Sequence, residues 1–460
     1  MERSRRSFIK KTAAGATGVT LGASAMAFSA KSYGSILGAN DRINISVIGT
    51  RGQGHGHLRR WAEMAKDKNV FVHTICDVDE NLWDERIKTV ADLQGKKPAT
   101  AFDMRKVFDN KDIDAVSIAT PNHWHALATI WAVQAGKDVY VEKPSSHNIW
   151  EGRKMIEAAR KYNKIVQVGF QNRSIPNVRK AMQFLHDGGI GDVYMARGLC
   201  YKPRASFGIS PDAEPPKGLH YDLWVGPAEM RPYNEKRLHY NWHWHWNTGN
   251  GDIGNQGPHQ FDVARWGMNK DEHPVKATSY GGYFKYGQDE CSQETANTQT
   301  AAFEYADGKI LQFEVRGIYT AGEDDLNVKI GNLFYGTEGW MEVNGDTWRT
   351  FMGPKGEPGP NSEGDGSTDK VVGYLAAPGG GGHYNNFIAA LRSGKKEDLT
   401  CDIHEGHLST CLPHMANISY RLGSKTLHFD GTTERFTNDD KANTMLKRDY
   451  REPYVVNEQV

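Results

Sequence analysis

Between residues 239 and 262 the chain runs HYNWHWHWNTGNGDIGNQGPHQFD, placing four histidines, three tryptophans and a glycine-rich turn in one stretch. Imidazole moves protons near neutral pH and is the commonest ligand for a divalent metal. His239, His243, His245 and His259 can therefore gather a metal ion, exchange a proton with a hydroxyl, or pack. If residues 241–247 are extended, alternation puts His243 and His245 on one side and Trp242, Trp244 and Trp246 on the other. A zinc-like site of His243, His245 and His259 lacks an acid or cysteine spaced to complete it, so no metal is expected. The expectation carried forward is that His243 and His245 line a substrate cleft.

Three other motifs carry chemistry. Glu142-Lys143-Pro144 closes a strand-like run, and a lysine there is a compact positive charge that can lower the pKa of a bound hydroxyl. The alternative for Lys143 is a solvated surface side chain. Gly49-Thr50-Arg51-Gly52-Gln53-Gly54 follows a β-branched run and opens a helical segment, the setting in which backbone N–H groups hold a pyrophosphate. Arg51 stands where the dinucleotide fingerprint has its middle glycine. Either it points outward beside the phosphates, or Gly52 takes over the close approach. Asp77 ends the next strand-like run, placed to accept hydrogen bonds from a ribose diol and to repel a 2′-phosphate, which favours NAD over NADP.

These residues need a scaffold that brings strand ends together. Strand-like runs at 42–49, 70–77, 99–102, 113–120, 137–144 and 165–169 alternate with helical segments, among them 57–66, 123–134 and 151–162. That rhythm predicts an α/β, doubly wound parallel sheet over 41–170. Beyond about residue 171 the runs 193–201, 275–284, 299–305, 310–315, 327–335 and 339–343 have few helices between them. They predict an α+β domain over 171–450 with a large open, mostly antiparallel sheet. Asp307-Gly308 marks a hairpin, residues 353–382 a loop rich in Gly, Pro and Ser, and 384–392 and 404–422 closing helices.

Taken together, Thr120-Pro121-Asn122-His123, Val141-Glu142-Lys143-Pro144 and the Gly251–Asp262 stretch resemble the Gfo/Idh/MocA oxidoreductase family, over roughly residues 42–450. The resemblance implies an N-terminal Rossmann domain followed by an open-faced sheet domain, with the substrate between them. It implies NAD contacts at Gly49, Arg51, Gly52, Gly54, Asp77, Thr120, Pro121, Asn122, His123, Glu142 and Lys143. Lys143 matches the family's active-site lysine, whose bond to the following proline is often cis. His259 matches the histidine that exchanges the hydroxyl proton while the nicotinamide takes the hydride. Asn255 occupies a position where many sugar dehydrogenases of the family carry aspartate. An amide can bind a hydroxyl but cannot accept a proton, so Asn255 is expected to orient the substrate while Lys143 and His259 do more. Asp252 or Asp262 can stand in for the acid, although Asp262 better suits fixing the helix after the turn. Tyr201 and Arg204, just beyond a strand, are candidates for the cleft, and His383 follows a glycine run that serves as a hinge or a plain loop. Relatives pair through the open face of the sheet, which implies a homo-oligomer.

Composition narrows the partners. Lys+Arg 56 against Asp+Glu 56 leaves no electrostatic footprint for nucleic acid or an anionic membrane, and a small neutral ligand fits better. Twelve tryptophans and nineteen tyrosines supply flat rings suited to sugar faces as well as to cores. Cys76, Cys200, Cys291, Cys401 and Cys411 have neither CxxC pairing nor zinc-ribbon spacing and are expected buried and reduced. Ser4-Arg5-Arg6-Ser7-Phe8-Ile9-Lys10 before a weakly apolar Gly/Ala-rich run resembles a twin-arginine export signal, so residues 1–40 are set apart as signal and linker and a periplasmic location is expected. No segment approaches the about 20 apolar residues of a membrane-spanning helix. A periplasm offers no free pool of NAD, so the cofactor is expected to be retained and the net reaction can be redox-neutral. The expected function is an exported, NAD-containing oxidoreductase acting on a sugar or glycoside hydroxyl. Its alternatives are glycoside cleavage through transient oxidation and elimination, and a non-catalytic protein that keeps NAD structurally.

Overall fold

The β-branched residues Ile43, Ile45, Val47 and Ile48 of the segment INISVI form β1 (Ile43–Ile48), with Ser46 buried among them. It lies inside a six-stranded sheet with β2 (Val70–Cys76), β3 (Ala99–Ala101), β4 (Ala115–Ile118), β5 (Asp138–Val141) and β6 (Val166–Val168). The order is β3-β2-β1-β4-β5-β6 and every pair is parallel. The crossovers are α1 (Gly52–Glu63), α2 (Trp83–Gln94), α3 (Met104–Asp109), α4 (Asn122–Gln134) and α5 (Ile149–Lys161). The strand order reverses at β1 and β4, which opens a crevice at their carboxyl ends. This computed structural model describes residues 41–323, 328–362 and 382–460, so the expected export signal and most of the expected 353–382 loop lie outside it.

After α6 (Pro176–His186) comes a second sheet. It is built from β7 (Val193–Cys200), β8 (Lys276–Gly282), β9 (Thr298–Glu304), β10 (Ile310–Arg316), β11 (Ile330–Gly336), β12 (Gly339–Asn344), β13 (Thr347–Met352), β14 (Glu357–Asn361), β15 (Leu427–Asp430) and β16 (Arg435–Phe436). Its order is β14-β13-β12-β11-β7-β10-β9-β8-β15-β16. Among the described residues only β7 and β10 of this sheet pair in parallel, so the expected mostly antiparallel sheet is present. Between β7 and β8 lie α7 (Tyr221–Val225), α8 (Gly251–Asn255) and α9 (Gly257–Gly267). After β14 come α10 (His383–Ser393) and α11 (Ile403–Arg421).

One face of this sheet packs under α6, α9 and α11 through Phe261, Phe313, Phe334, Leu311 and Val343. Gly198 permits the close approach, since a Cβ there would lie 2.8 Å from the Phe313 ring and 3.0 Å from Gln260. The opposite face carries ion pairs that join Arg197 and Arg316 to Glu314 and Glu323. Part of the expected 353–382 loop is strand β14. Its Pro358 and Pro360 look like loop residues, but an edge strand tolerates proline because one row of its N–H groups has no partner.

The chain then returns to the first sheet. Phe387, Ile388 and Ala390 of α10 join a core with Ile45, Val47, Trp61 and Tyr140. On the other face Tyr454, Val456 and Val460 pack with Trp124, Ile130 and Val139. Segments from beyond residue 380 thus complete the cores on both faces of the first sheet, and residues 43–460 form one unit.

Candidate active site

A cavity of about 670 Å³ occupies the crevice at the carboxyl ends of β1, β2, β4 and β5. At its floor Gly49 has φ +80° and approaches β4 so closely that a Cβ would meet Thr120 N at 2.8 Å. Gly54 fits α1 against the turn, since a Cβ there would sit 1.8 Å from the Gly49 carbonyl oxygen, whereas open space lies beside Gly52. No side chain among the described residues caps the start of α1, so its positive dipole end faces this space. Arg51 points outward, and its Nη2 pairs with Asp79 Oδ2 at 2.8 Å. Asp77 Oδ2 accepts from Thr50 N at 2.6 Å and Thr50 Oγ1 at 2.9 Å, while Oδ1 accepts from Asp79 N at 2.9 Å. Burial raises the Asp77 pKa against those hydrogen bonds. Asp77 thus ties the glycine turn to the loop after β2 and still lines the cavity.

At the other end stands Lys143, on a cis bond to Pro144. Its Nζ donates to the Asn255 carbonyl oxygen at 2.7 Å and lies 3.5 Å from Asn255 Oδ1. Burial lowers the Lys143 pKa, opposed by Glu142 and Asp252. Glu142 accepts from His57 Nε2 at 3.1 Å, Gln171 Nε2 at 2.8 Å and Gln53 Nε2 at 3.2 Å. Burial alone would raise its pKa, but the His57 hydrogen bond and then Lys143 outweigh it and hold it at about 2. His259 sits in the first turn of α9 and lines the cavity. Burial and the neighbouring Lys143 push its pKa down to about 3, so the ring is neutral, and its buried Nδ1 has no hydrogen-bond partner among the described residues. The backbone turns here because Pro258 has no N–H to continue α8 into α9.

Asp262 holds structure, as expected: both its oxygens accept from Arg173, at 2.8 to 3.1 Å, and Oδ1 also from Ser409 at 2.7 Å. Asp252 is tied to Arg204 by bonds of 2.8 and 3.0 Å.

Five expected site residues lie off the cavity wall. Residues 241–247 are not extended; Asn241–Trp244 is a 3-10 turn, so the alternation argument fails. His243 lines the cavity, but His245 turns toward Glu294, with Nδ1 and Oε1 3.5 Å apart. Tyr201 is one residue beyond β7, and a period of two sends it to the open face, where its hydroxyl donates toward Glu323 at 2.5 Å and Glu314 at 3.0 Å. Arg204 stands one step behind the wall, on Asp252. His123 bonds the Trp224 carbonyl at 3.0 Å, and His125, two positions along α4, lines the cavity instead. Gly54 acts from beneath the turn. His383 is buried at the start of α10, bonding the Val168 carbonyl oxygen at 2.8 Å.

Among the described residues one trio of possible metal ligands gathers, His273, His407 and Cys411, outside the histidine-rich stretch. Both imidazole Nε2 atoms there bond Glu434 Oε1, at 3.0 and 2.8 Å.

Sequence reasoning missed Asp79, His125, Gln171, Tyr240 and Trp242, all of which line the cavity, together with a strap at 216–226. The strap is hydrogen-bonded to the loop after β2. Glu80 N donates to Gly218 O at 2.9 Å, His220 N to Val78 O at 2.8 Å, and Asn81 Nδ2 to Lys217 O at 3.0 Å. His220 also pairs with Glu80 at 2.6 Å and stacks on Phe102 at 4.0 Å. Leu219, Leu223 and Trp224 thereby close the end of the cavity that faces Asp77 and Met104.

A family profile described as an oxidoreductase family with an NAD-binding Rossmann fold matches residues 43–170. Its companion, the C-terminal alpha/beta domain of the oxidoreductase family, matches residues 208–315 and 367–456. The chain belongs to the Gfo/Idh/MocA family. A levoglucosan dehydrogenase of Pseudarthrobacter phenanthrenivorans is 38% identical over 96 residues, 21% of this chain and 25% of that protein. A glycosyl hydrolase family 109 protein of Shewanella pealeana is 28% identical over 178 residues, 36% of this chain and 38% of that protein. The chain thus spans less than half the length of these two relatives. A solved levoglucosan dehydrogenase, in complex with NADH and levoglucosan, superposes with a TM-score of 0.63 at 19% identity, covering 84% of this chain and 99% of that one, a likeness of fold. Within the Gfo/Idh/MocA frame, the side-chain-free space at Gly52, the uncapped α1 and the Asp77 carboxylate fit a dinucleotide, and residues 43–170 are an NAD-binding Rossmann domain.

Proposed function

We propose that this chain is an exported oxidoreductase that keeps NAD tightly bound and acts on a hydroxyl of a sugar or glycoside. The observation that carries the reading is Lys143, whose Nζ is fixed at 2.7 Å on the Asn255 carbonyl in the same cavity as the glycine turn and His259. An ammonium has three donors, and Asn255 uses one, leaving others for the oxygen of a substrate. Lys143 polarises that hydroxyl, and the neutral His259 takes its proton and returns it. Asn255 orients the sugar. Bound NAD supplies a hydride acceptor at its nicotinamide. Gly49, Gly52, the start of α1, Asp77, Thr120, Pro121 and Asn122 would hold it.

Retention rests on the strap, which closes the cavity end beside Asp77 through backbone hydrogen bonds. Export rests on the sequence alone, on Arg5-Arg6 and the residues around them. Enclosure also favours a redox-neutral route, in which a transient ketone acidifies the neighbouring C–H, the glycosidic substituent is eliminated as an alcohol, water adds to the double bond left behind, and the hydride first removed is returned to the ketone. Likeness to a family 109 glycosyl hydrolase supports the same route. The test is to denature purified protein and assay released NAD(H), then supply glycosides to the native form while following NADH absorbance and product. Absence of nucleotide sinks the proposal. Cleaved glycoside without net NADH selects the redox-neutral route, and stoichiometric NADH selects a plain dehydrogenase.

A further inference from the structure

Tyr240 stands at the mouth of the cavity, 52% exposed, just before the 3-10 turn Asn241–Trp244. Its hydroxyl oxygen accepts from Arg204 Nη1 at 3.3 Å and from Asn255 Nδ2 at 3.4 Å. A phenol has one proton and two acceptor sites. Both acceptor sites are used, and among the described residues no acceptor takes the phenolic proton. The group can therefore only donate, and a neighbouring guanidinium strengthens that donation.

Each partner is itself held. Arg204 is locked by its two bonds to Asp252, which is 2% exposed. Asn255 has Oδ1 toward Lys143 Nζ and Nδ2 toward Asp252 Oδ1, at 3.5 Å each, which fixes the direction of its amide. The other end of Tyr240 is anchored as well, because His243 Nδ1 donates to its carbonyl oxygen at 2.6 Å. The acid that a relay through position 255 would need thus stands one helical turn earlier, neutralised by Arg204, and the amide at 255 faces a phenol.

We infer that Tyr240 is a substrate-orienting residue whose O–H donates to a sugar oxygen next to the hydroxyl held by Lys143. This rests on the sugar oxidoreductase reading above. It requires an acceptor oxygen, a hydroxyl or a ring or glycosidic oxygen, at that place on the substrate.

The experiment compares wild type with Tyr240→Phe as purified holoproteins. The substrates are the methyl glycosides of glucose, galactose and N-acetylglucosamine in both anomers, followed by the mono-deoxy analogues of whichever is turned over. Bound NAD and the thermal midpoint are expected to be unchanged, because Tyr240 is half-exposed, its ring is kept, and Arg204 and Asn255 retain their contacts with Asp252. The kcat/KM of Tyr240→Phe is expected to fall at least about tenfold, the range for one hydrogen bond to a polar partner. One deoxy analogue should lose a similar factor with wild type and nothing further with the variant, a coupling that a purely structural tyrosine would not give. Turnover by wild type with an indifferent Tyr240→Phe, or equal losses for every analogue in both proteins, overturns the role of Tyr240 alone. No turnover of any glycoside by NAD-containing wild type overturns the sugar reading and this inference with it.

Discussion

At the scale of single residues, chemistry in the cavity depends on a lysine kept close to its neighbours. Lys143→Ala should lower kcat/KM by about 100-fold or more while bound NAD remains, since removing one preorganised donor costs about 10²–10³. Undiminished turnover would show that another group polarises the substrate. Because Lys143 acts as a cation and burial lowers its pKa from 10.5, kcat/KM should fall as pH rises through a value below 10.5. His259 stays neutral down to about 3, so its protonation adds no acid limb near neutrality. Lys143, His259 and the glycine turn were legible because their chemistry is carried by adjacent residues in short motifs. Tyr240, Asp79 and Gln171 were not, because each matters only through partners far away in sequence. His123, named through the Thr-Pro-Asn-His motif, bonds Trp224 while His125 reaches the cavity, since two positions along a helix differ by about 200° of rotation and packing decides which faces the space.

At the scale of elements, the six parallel strands were readable from apolar runs and their spacing, and most predicted boundaries fell within a few residues. What escaped was short or ambiguous in period: α6, the edge strand β14 with its prolines, and the 3-10 turn at Asn241–Trp244. A segment as rich in alternating His and Trp as 241–246 imitates a strand, but backbone bonds from His243 N to Tyr240 O and from His245 N to Trp242 O curl it. The tightest local constraint is the meeting of α1 with the end of β1. Gly54→Ala would place a methyl 1.8 Å from the Gly49 carbonyl, so the turn must open. The variant should lose several kcal/mol of stability, as overpacking of about 1–3 kcal/mol is compounded by a backbone clash, and it should purify without nucleotide. A Gly54→Ala protein that keeps its NAD would refute this account of the turn.

At the scale of the whole molecule, the strap is tied to the loop after β2 beside the cavity. His220→Ala removes the pair with Glu80 and the stack on Phe102, and should raise the rate of NAD release about tenfold, the worth of roughly 1.4 kcal/mol. Exchange against labelled NAD measures it, and an unaltered rate would place the barrier elsewhere. Burial also sets the response to acid. His123, His243, His259 and His414 are pushed down to about 3, and His383 to about 4, from 6.5. Between those values and 6.5 the unfolded chain binds more protons than the folded one, so stability is full above 6.5 and falls as pH drops. The loss amounts to about 1.4 kcal/mol per pH unit for each histidine. Urea midpoints should therefore decline steadily from pH 7 to pH 5, and a level profile would contradict the burial of these rings.

The returning segments have a further consequence, for synthesis. Ile45 and Val47 leave the ribosome early, yet Phe387 and Tyr454, which cover the two faces of their sheet, come from the far end of the chain. A nascent chain that has already made all six parallel strands still shows apolar surface on both sides. Folding of the first sheet is thus finished only when the second has been made, and during translation the chain should bind chaperones that recognise exposed apolar strands.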